Sequence, residues 1–139
     1  MPVAGRKPKA AGQAVNRSKP AHDWTEVPDV PHSGAPKLPA RTLLGLPMPA
    51  PTKRWWAAIS TMPHCALWTP ADWSFALDTA LIAAQFHSGD IKVGTELRNR
   101  ERVLGTTVDF RRDLRIRYVP VEDELPAADV TRLSDYRDL

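Results

Sequence analysis

The sequence predicts a mainly α protein. A small helical core, built from a helical hairpin and two shorter helices, sits between a disordered, proline-rich basic N-terminal arm and an acidic C-terminal tail. Three observations lead there. Apolar residues between positions 52 and 118 recur at helical spacing. Ten of the 14 prolines fall before residue 52, and a segment about one-fifth proline, with Gly, Ala, Lys and Ser between, cannot offset the entropy of ordering it. Charge is also segregated, because 19 basic and 16 acidic residues give a net +3 that is unevenly spread along the chain. The organisation expected is therefore an arm and linker over 1–51, a core over 52–118 and a tail over 119–139.

Residues 1–20 carry Arg6, Lys7, Lys9, Arg17 and Lys19 without a single acid and without hydrophobic periodicity. They contain no apolar block of the kind a secretory signal needs. From Ala21 to Pro51 the charges cancel and prolines recur, which reads as a semi-extended linker. Thr52 is positioned to cap a short helix through Lys53–Ile59 that ends before Pro63, with Trp55, Ile59 and Met62 on one side. Thr69-Pro70-Ala71-Asp72 combines a capping threonine, proline at the first helical position and a carboxylate that returns to the cap. The helix it starts has Trp73, Ala76, Leu77, Ala80, Leu81 and Ala84 on one face, widened by Phe75, Ile82 and Phe86, and Gly89 stops it.

A third helix is expected from Gly94 or Thr95 to Leu104, with Leu97, Glu101 and Leu104 inward and Gly105 as its break. A fourth begins at Thr106 or Thr107, where Thr106-Thr107-Val108-Asp109 repeats the capping pattern and Phe110 and Leu114 lie one turn apart. Its end is open to two readings, because Leu114-Arg115-Ile116-Arg117-Tyr118 alternates apolar and basic residues with the period of a strand. The tail sets Glu122, Asp123, Glu124, Asp129, Asp135 and Asp138 against Arg132 and Arg137, and intersperses Leu125, Val130, Leu133 and Tyr136. Such a segment suits folding on a partner as well as plain solvation.

Several classes are disfavoured. The longest apolar stretch, Ala76–Phe86, falls far short of the ~20 residues of a membrane span. The single cysteine, Cys65, allows no internal disulfide, and no zinc-ligand spacing is present. His64 and Cys65 are adjacent with only His87 nearby, a set without the support a catalytic pair requires. Gly89 and Gly94 stand alone, so no phosphate-cradling loop exists. No enzyme, cofactor or metal is expected. A core of this size rarely supplies more than about 3–5 kcal/mol on its own, which makes oligomerisation the expected stabiliser.

Arg98, Arg100, Arg102, Arg111, Arg112, Arg115 and Arg117 crowd the last two helices with Lys92 as the one nearby lysine. Arginine in this excess favours bidentate pairing with phosphates or with carboxylates of a neighbouring subunit. Helical spacing sets Arg98 above Arg102 and Arg111 above Arg115 as like-charge pairs, answered in part by Glu96 with Arg100 and Asp113 with Arg117. Trp55, Trp56, Trp68 and Trp73 suit core and interface anchoring more than base stacking.

Gly5-Arg6-Lys7-Pro8-Lys9, Trp55-Trp56, Trp68-Thr69-Pro70-Ala71-Asp72, Glu96-Leu97-Arg98, Arg100 through Thr107 and Arg111-Arg112-Asp113-Leu114-Arg115-Ile116 follow one another in an order that resembles the small terminase subunits of tailed phages. The resemblance spans most of residues 50–118 and the short arm motif. It implies a ring of about 8–12 copies that binds double-stranded phage DNA and recruits or regulates the large terminase subunit, the ATPase and nuclease, in the cytoplasm of the infected host, without entering the mature virion. Charge assigns DNA contact to Arg6, Lys7, Lys9, Arg17 and Lys19 of the arm and to Arg98, Arg102, Arg111, Arg112 and Arg115. Core and subunit contacts are expected of Trp55, Ile59, Trp73, Leu77, Leu81, Leu104, Phe110 and Leu114, and partner docking of Glu122, Asp123, Glu124, Leu133 and Tyr136. A helix-turn-helix regulator built on the helices from Lys53 and Pro70, or a virion connector, would show some of the same features.

Overall fold

A computed structural model of the chain describes residues 23–121. It is mainly helical. Strand β1 (Thr25–Pro28) is followed by helices α1 (Ala50–Ile59), α2 (Pro70–His87), α3 (Gly94–Leu104) and α4 (Val108–Asp113), and the chain closes with strand β2 (Ile116–Val119). Short 3-10 turns at Pro63–Leu67 and Ile91–Val93 connect α1 to α2 and α2 to α3. The two strands pair in parallel, Thr25 opposite Ile116 and Val27 opposite Tyr118, so the helical body is the crossover between them.

The reciprocal cap of α2 forms as its residues predict. The Thr69 hydroxyl accepts from the Asp72 backbone N–H, while Asp72 Oδ2 accepts from the Thr69 N–H at 2.7 Å and is held below the usual carboxylate range by that bond. A cap of this type contributes about 1 kcal/mol. The inner face of α2 differs in detail from the expectation. Ala76, Thr79, Ala80, Ala83 and Ala84 are the buried residues, whereas Trp73, Leu77 and Leu81 are half-buried. Small side chains let α1 and α3 approach closely, and the Thr79 hydroxyl stays satisfied by donating to the Phe75 carbonyl at 2.8 Å.

Helix α1 begins at Ala50, earlier than Thr52 as a cap would allow. Pro51 already lies in the first turn, where its fixed φ is preorganised for a helix. Thr52 is instead fully buried, with its hydroxyl 2.8 Å from His87 Nδ1 at the far end of α2. Trp56 packs with Ala76, Ala80 and Leu104, and Ile59 with Met62 and Cys65, while Trp55, Trp68 and Trp73 close both clusters from the side. The four tryptophans of this region are thus packed among core residues. The Cys65 thiol donates to the Ile59 carbonyl at 3.1 Å, and burial pushes its pKa up to about 12, which leaves it unreactive.

Leu97, Glu101 and Leu104 are the buried residues of α3, as their spacing predicts. Glu101 is only 5% exposed, yet its carboxylate accepts from Trp55 Nε1 at 3.2 Å and from Arg98 Nη1 at 2.9 Å. The cap of α4 is Thr107 and not Thr106, since its hydroxyl accepts from the Phe110 N–H. Helix α4 ends at Asp113, Arg115 turns the chain with φ 56°, and 116–119 are extended, which settles the strand reading of this segment. The helical spacings Arg111 to Arg115 and Asp113 to Arg117 therefore do not apply. Arg117 pairs with Glu26 across the two strands.

The stretch 23–51, expected as a linker, is extended but packed. Val27, Leu38 and Met48 contact the body, Val27 and Met48 being buried, and the His32 N–H donates to the Thr61 carbonyl at 3.0 Å. Proline lowers the entropy that such a segment loses on ordering, so a few apolar anchors suffice.

His64 joins the parts. Because a carbonyl can only accept, Nε2–H donates to Leu104 O at 2.7 Å, and Nδ1 accepts from the Tyr118 hydroxyl at 2.6 Å. Burial holds the imidazole below its ordinary pKa of 6.5, helped by the positive charge of Arg111. Its stabilising contribution is therefore complete above pH 6.5 and is lost as pH falls through the depressed folded value. We predict a melting temperature that is level from pH 8 to 7 and falls below pH 6.5, with a shallower fall in His64→Gln. Gly105 ends α3 with φ 70°, and an added Cβ would lie 3.2 Å from His64 Nε2 and 3.1 Å from Leu114 Cδ1. Gly105→Ala should lower stability by about 1–3 kcal/mol in urea unfolding.

Candidate nucleic-acid interface

The arginines of α3, α4 and β2 are held by three kinds of contact. Carboxylates take Arg98, which bonds Glu101, Arg100, whose Nε donates to Glu96 at 2.7 Å, and Arg117, which pairs with Glu26. Aromatic rings support Arg100 a second time and two further arginines. Arg100 lies 5.1 Å above the Phe75 ring, Arg102 5.6 Å above Phe110 and Arg111 4.7 Å above Tyr118. A guanidinium stacked by its face keeps its N–H edges available for planar acceptors such as phosphate oxygens. Backbone contacts complete the set, since Arg111 Nη1 also donates to the Gly105 carbonyl at 3.1 Å.

Exposure separates these residues further. The Arg98 side chain remains 63% exposed despite its ion pair, and Arg102 and Arg112 are exposed. Arg115 occupies a left-handed backbone position that glycine or asparagine would fill at lower energy. Over residues 96–117 seven arginines face Glu96, Glu101, Asp109 and Asp113, so a positive excess remains after the internal pairs are formed.

A cleft of about 250 Å³ opens within this group, lined by Trp24, Val108, Ile116 and Tyr118 together with Arg111, Arg112 and Arg117. It lies below the usual volume of small-molecule sites, roughly 300–1,000 Å³. The Arg117 Nε is buried and meets no hydrogen-bond acceptor among the described residues. Trp24 was not a candidate from the sequence, because the strand that brings it here pairs with residues about ninety positions away and carries no local signal.

Arg98 and Arg102 lie on α3, Arg111 and Arg112 on α4, and Arg115 in the turn before β2. Arg6, Lys7, Lys9, Arg17 and Lys19, and the tail residues Glu122, Asp123, Glu124, Leu133 and Tyr136, lie outside the described residues. Among the core and contact candidates, Ile59 and Leu104 are buried, Trp55, Trp73 and Leu77 pack against the core, and Leu81 and Phe110 are half-buried. Leu114 is 41% exposed. Among the described residues no group of His, Cys, Asp and Glu is arranged to hold a metal ion, and no helix is long and apolar enough to cross a membrane.

Helix α2 would be the recognition helix of a helix-turn-helix regulator, but its five buried residues commit it to the interior. Helix α4, at six residues, spans only about 9 Å. Comparison with curated proteins and with solved structures gives no match. The family model described as phage terminase small subunit matches residues 3–139, nearly the whole chain, in agreement with the order of motifs from the basic arm to the final arginines. The chain belongs to the phage terminase small subunit family.

Proposed function

We propose that this protein binds double-stranded phage DNA as a homo-oligomeric ring of about 8–12 copies, and that it recruits or regulates the large terminase subunit during genome packaging in the host cytoplasm. The observation that carries the reading is the pair of ring-stacked arginines Arg102 of α3 and Arg111 of α4, whose planar guanidinium groups suit the phosphate backbone. The contacts are to phosphates, so they position the duplex without reading bases. The arm adds sequence-independent attraction through Arg6, Lys7, Lys9, Arg17 and Lys19. The chain supplies no catalytic group in this reading, because ATP hydrolysis and cleavage belong to the large subunit. The acidic tail docks on that subunit through Glu122, Asp123 and Glu124 with Leu133 and Tyr136, and the protein is left behind when the virion matures.

Fluorescence anisotropy with a labelled duplex over a salt series tests the DNA contact. Arg102→Gln with Arg111→Gln should weaken binding equally on unrelated sequences and reduce the salt slope by about 2, since each phosphate contact contributes about 0.9. An unchanged slope would move the contact to the arm, where deletion of residues 1–20 provides the parallel measurement. Deletion of residues 122–139 should leave DNA affinity intact and abolish stimulation of the large-subunit ATPase, and full stimulation by the shortened chain would refute the docking role.

A further inference from the structure

The basic arm joins the described fold at the edge of the arginine cleft, and we infer that arm and cleft grip the same stretch of DNA duplex as a two-point clamp, with the β1–β2 pair as the joint between them. The inference rests on the DNA reading above and adds to it which parts of the chain act together on one duplex.

Strand pairing makes the joint. In the parallel register Thr25 lies opposite Ile116, and the Thr25 N–H donates to Arg115 O at 2.8 Å. Trp24, one residue earlier and half-buried, lines the cleft together with Arg111, Arg112 and Arg117. The joint is also fixed further along. Val27 is buried, Glu26 pairs with Arg117, and the Asp29 N–H donates to Val119 O at 2.8 Å. The arm is therefore rooted beside the arginines by backbone bonds, an ion pair and a buried side chain.

Reach favours a single duplex. A chain spans at most about 3.3–3.6 Å per residue, so Lys19, five residues before Trp24, lies within about 18 Å of it and Arg17 within about 25 Å. Those spans exceed the major-groove width of about 12 Å, so the arm can meet phosphates across a groove from the ones the cleft holds. A second contact made from the same chain is intramolecular, and it raises affinity through effective concentration.

Charge points the same way. Over residues 1–24 Asp23 is the one acid against Arg6, Lys7, Lys9, Arg17 and Lys19, and the next acid, Glu26, is taken up by Arg117. Parallel pairing sends the acidic tail in the other direction, since β2 leaves at Val119 opposite Pro28, about 10 Å along the strands from the root of the arm. An antiparallel pair would have delivered the tail to the cleft.

Fluorescence anisotropy of the full chain with a labelled duplex of about two helical turns, ~21 bp, tests the joint. Inserting about twenty Gly-Ser residues between Pro20 and Ala21 keeps every basic residue, and circular dichroism checks the fold. The connection from Lys19 to Trp24 grows from five residues to about 25, and effective concentration falls roughly as the −3/2 power of length, so affinity should drop by about 3- to 10-fold. The same insertion between Met1 and Pro2 lies outside the clamp and should leave affinity unchanged. Full affinity with the connection lengthened, or an equal drop from both insertions, would overturn the inference and leave the DNA reading standing. A wild-type chain that does not bind the duplex would overturn both.

Discussion

His64 donates to the Leu104 carbonyl and accepts from the Tyr118 hydroxyl, and through these two bonds the turn between α1 and α2 holds the end of α3 and strand β2. The Leu104 bond needs a proton on Nε2 and acceptance from Tyr118 needs a bare Nδ1, so the two are met together by the neutral imidazole. The residues around it accept the same constraint. Gly105 leaves no room for a side chain beside Nε2, Trp68 meets the imidazole edge to face at 5.8 Å, and Arg111 stacks on Tyr118 while bonding the Gly105 carbonyl. Arg111 is therefore positioned by a buried hydrogen-bond junction.

The remaining architecture follows from having few residues to bury. Alanines and Thr79 on α2 let three helices meet closely, and the tryptophans fill the volume that larger aliphatic residues would otherwise occupy. The extended segment before α1 supplies Val27, Leu38 and Met48 to the same body, so its prolines stiffen a packed strap. The most exposed apolar side chains of the strap are Leu43 and Leu44 of its turn, whereas the large apolar side chains of α2 are half-buried. What α3, α4 and β2 present is basic.

Local chemistry was the legible part of the sequence. The Thr69–Asp72 cap, the inward set of Leu97, Glu101 and Leu104, and the Glu96–Arg100 pair all depend on residues within one or two turns, and all are present. The register of the basic region was less legible, because the alternation after Leu114 fits both a frayed helix and a strand. Its resolution depends on β1, whose Glu26 and Val27 lie about ninety residues earlier. Thr52 looked like a cap because only its neighbours were visible, whereas its partner, His87, closes the opposite end of the hairpin. Trp24 and the Leu43–Leu44 turn carry no periodic signal at all. Their meaning comes from what the fold sets beside them.

Contact of the duplex with the arm and with α3 to β2 is the claim on which the functional account stands. Hydrogen–deuterium exchange of the intact protein, with and without a DNA duplex at low salt, tests it most directly. The account predicts that DNA slows exchange in residues 98–119 and in the arm, with no change over Leu43–Pro47 or along Trp73–Ser88. Protection by DNA centred on the leucine turn and α2, with α3 to β2 unaffected, would contradict it.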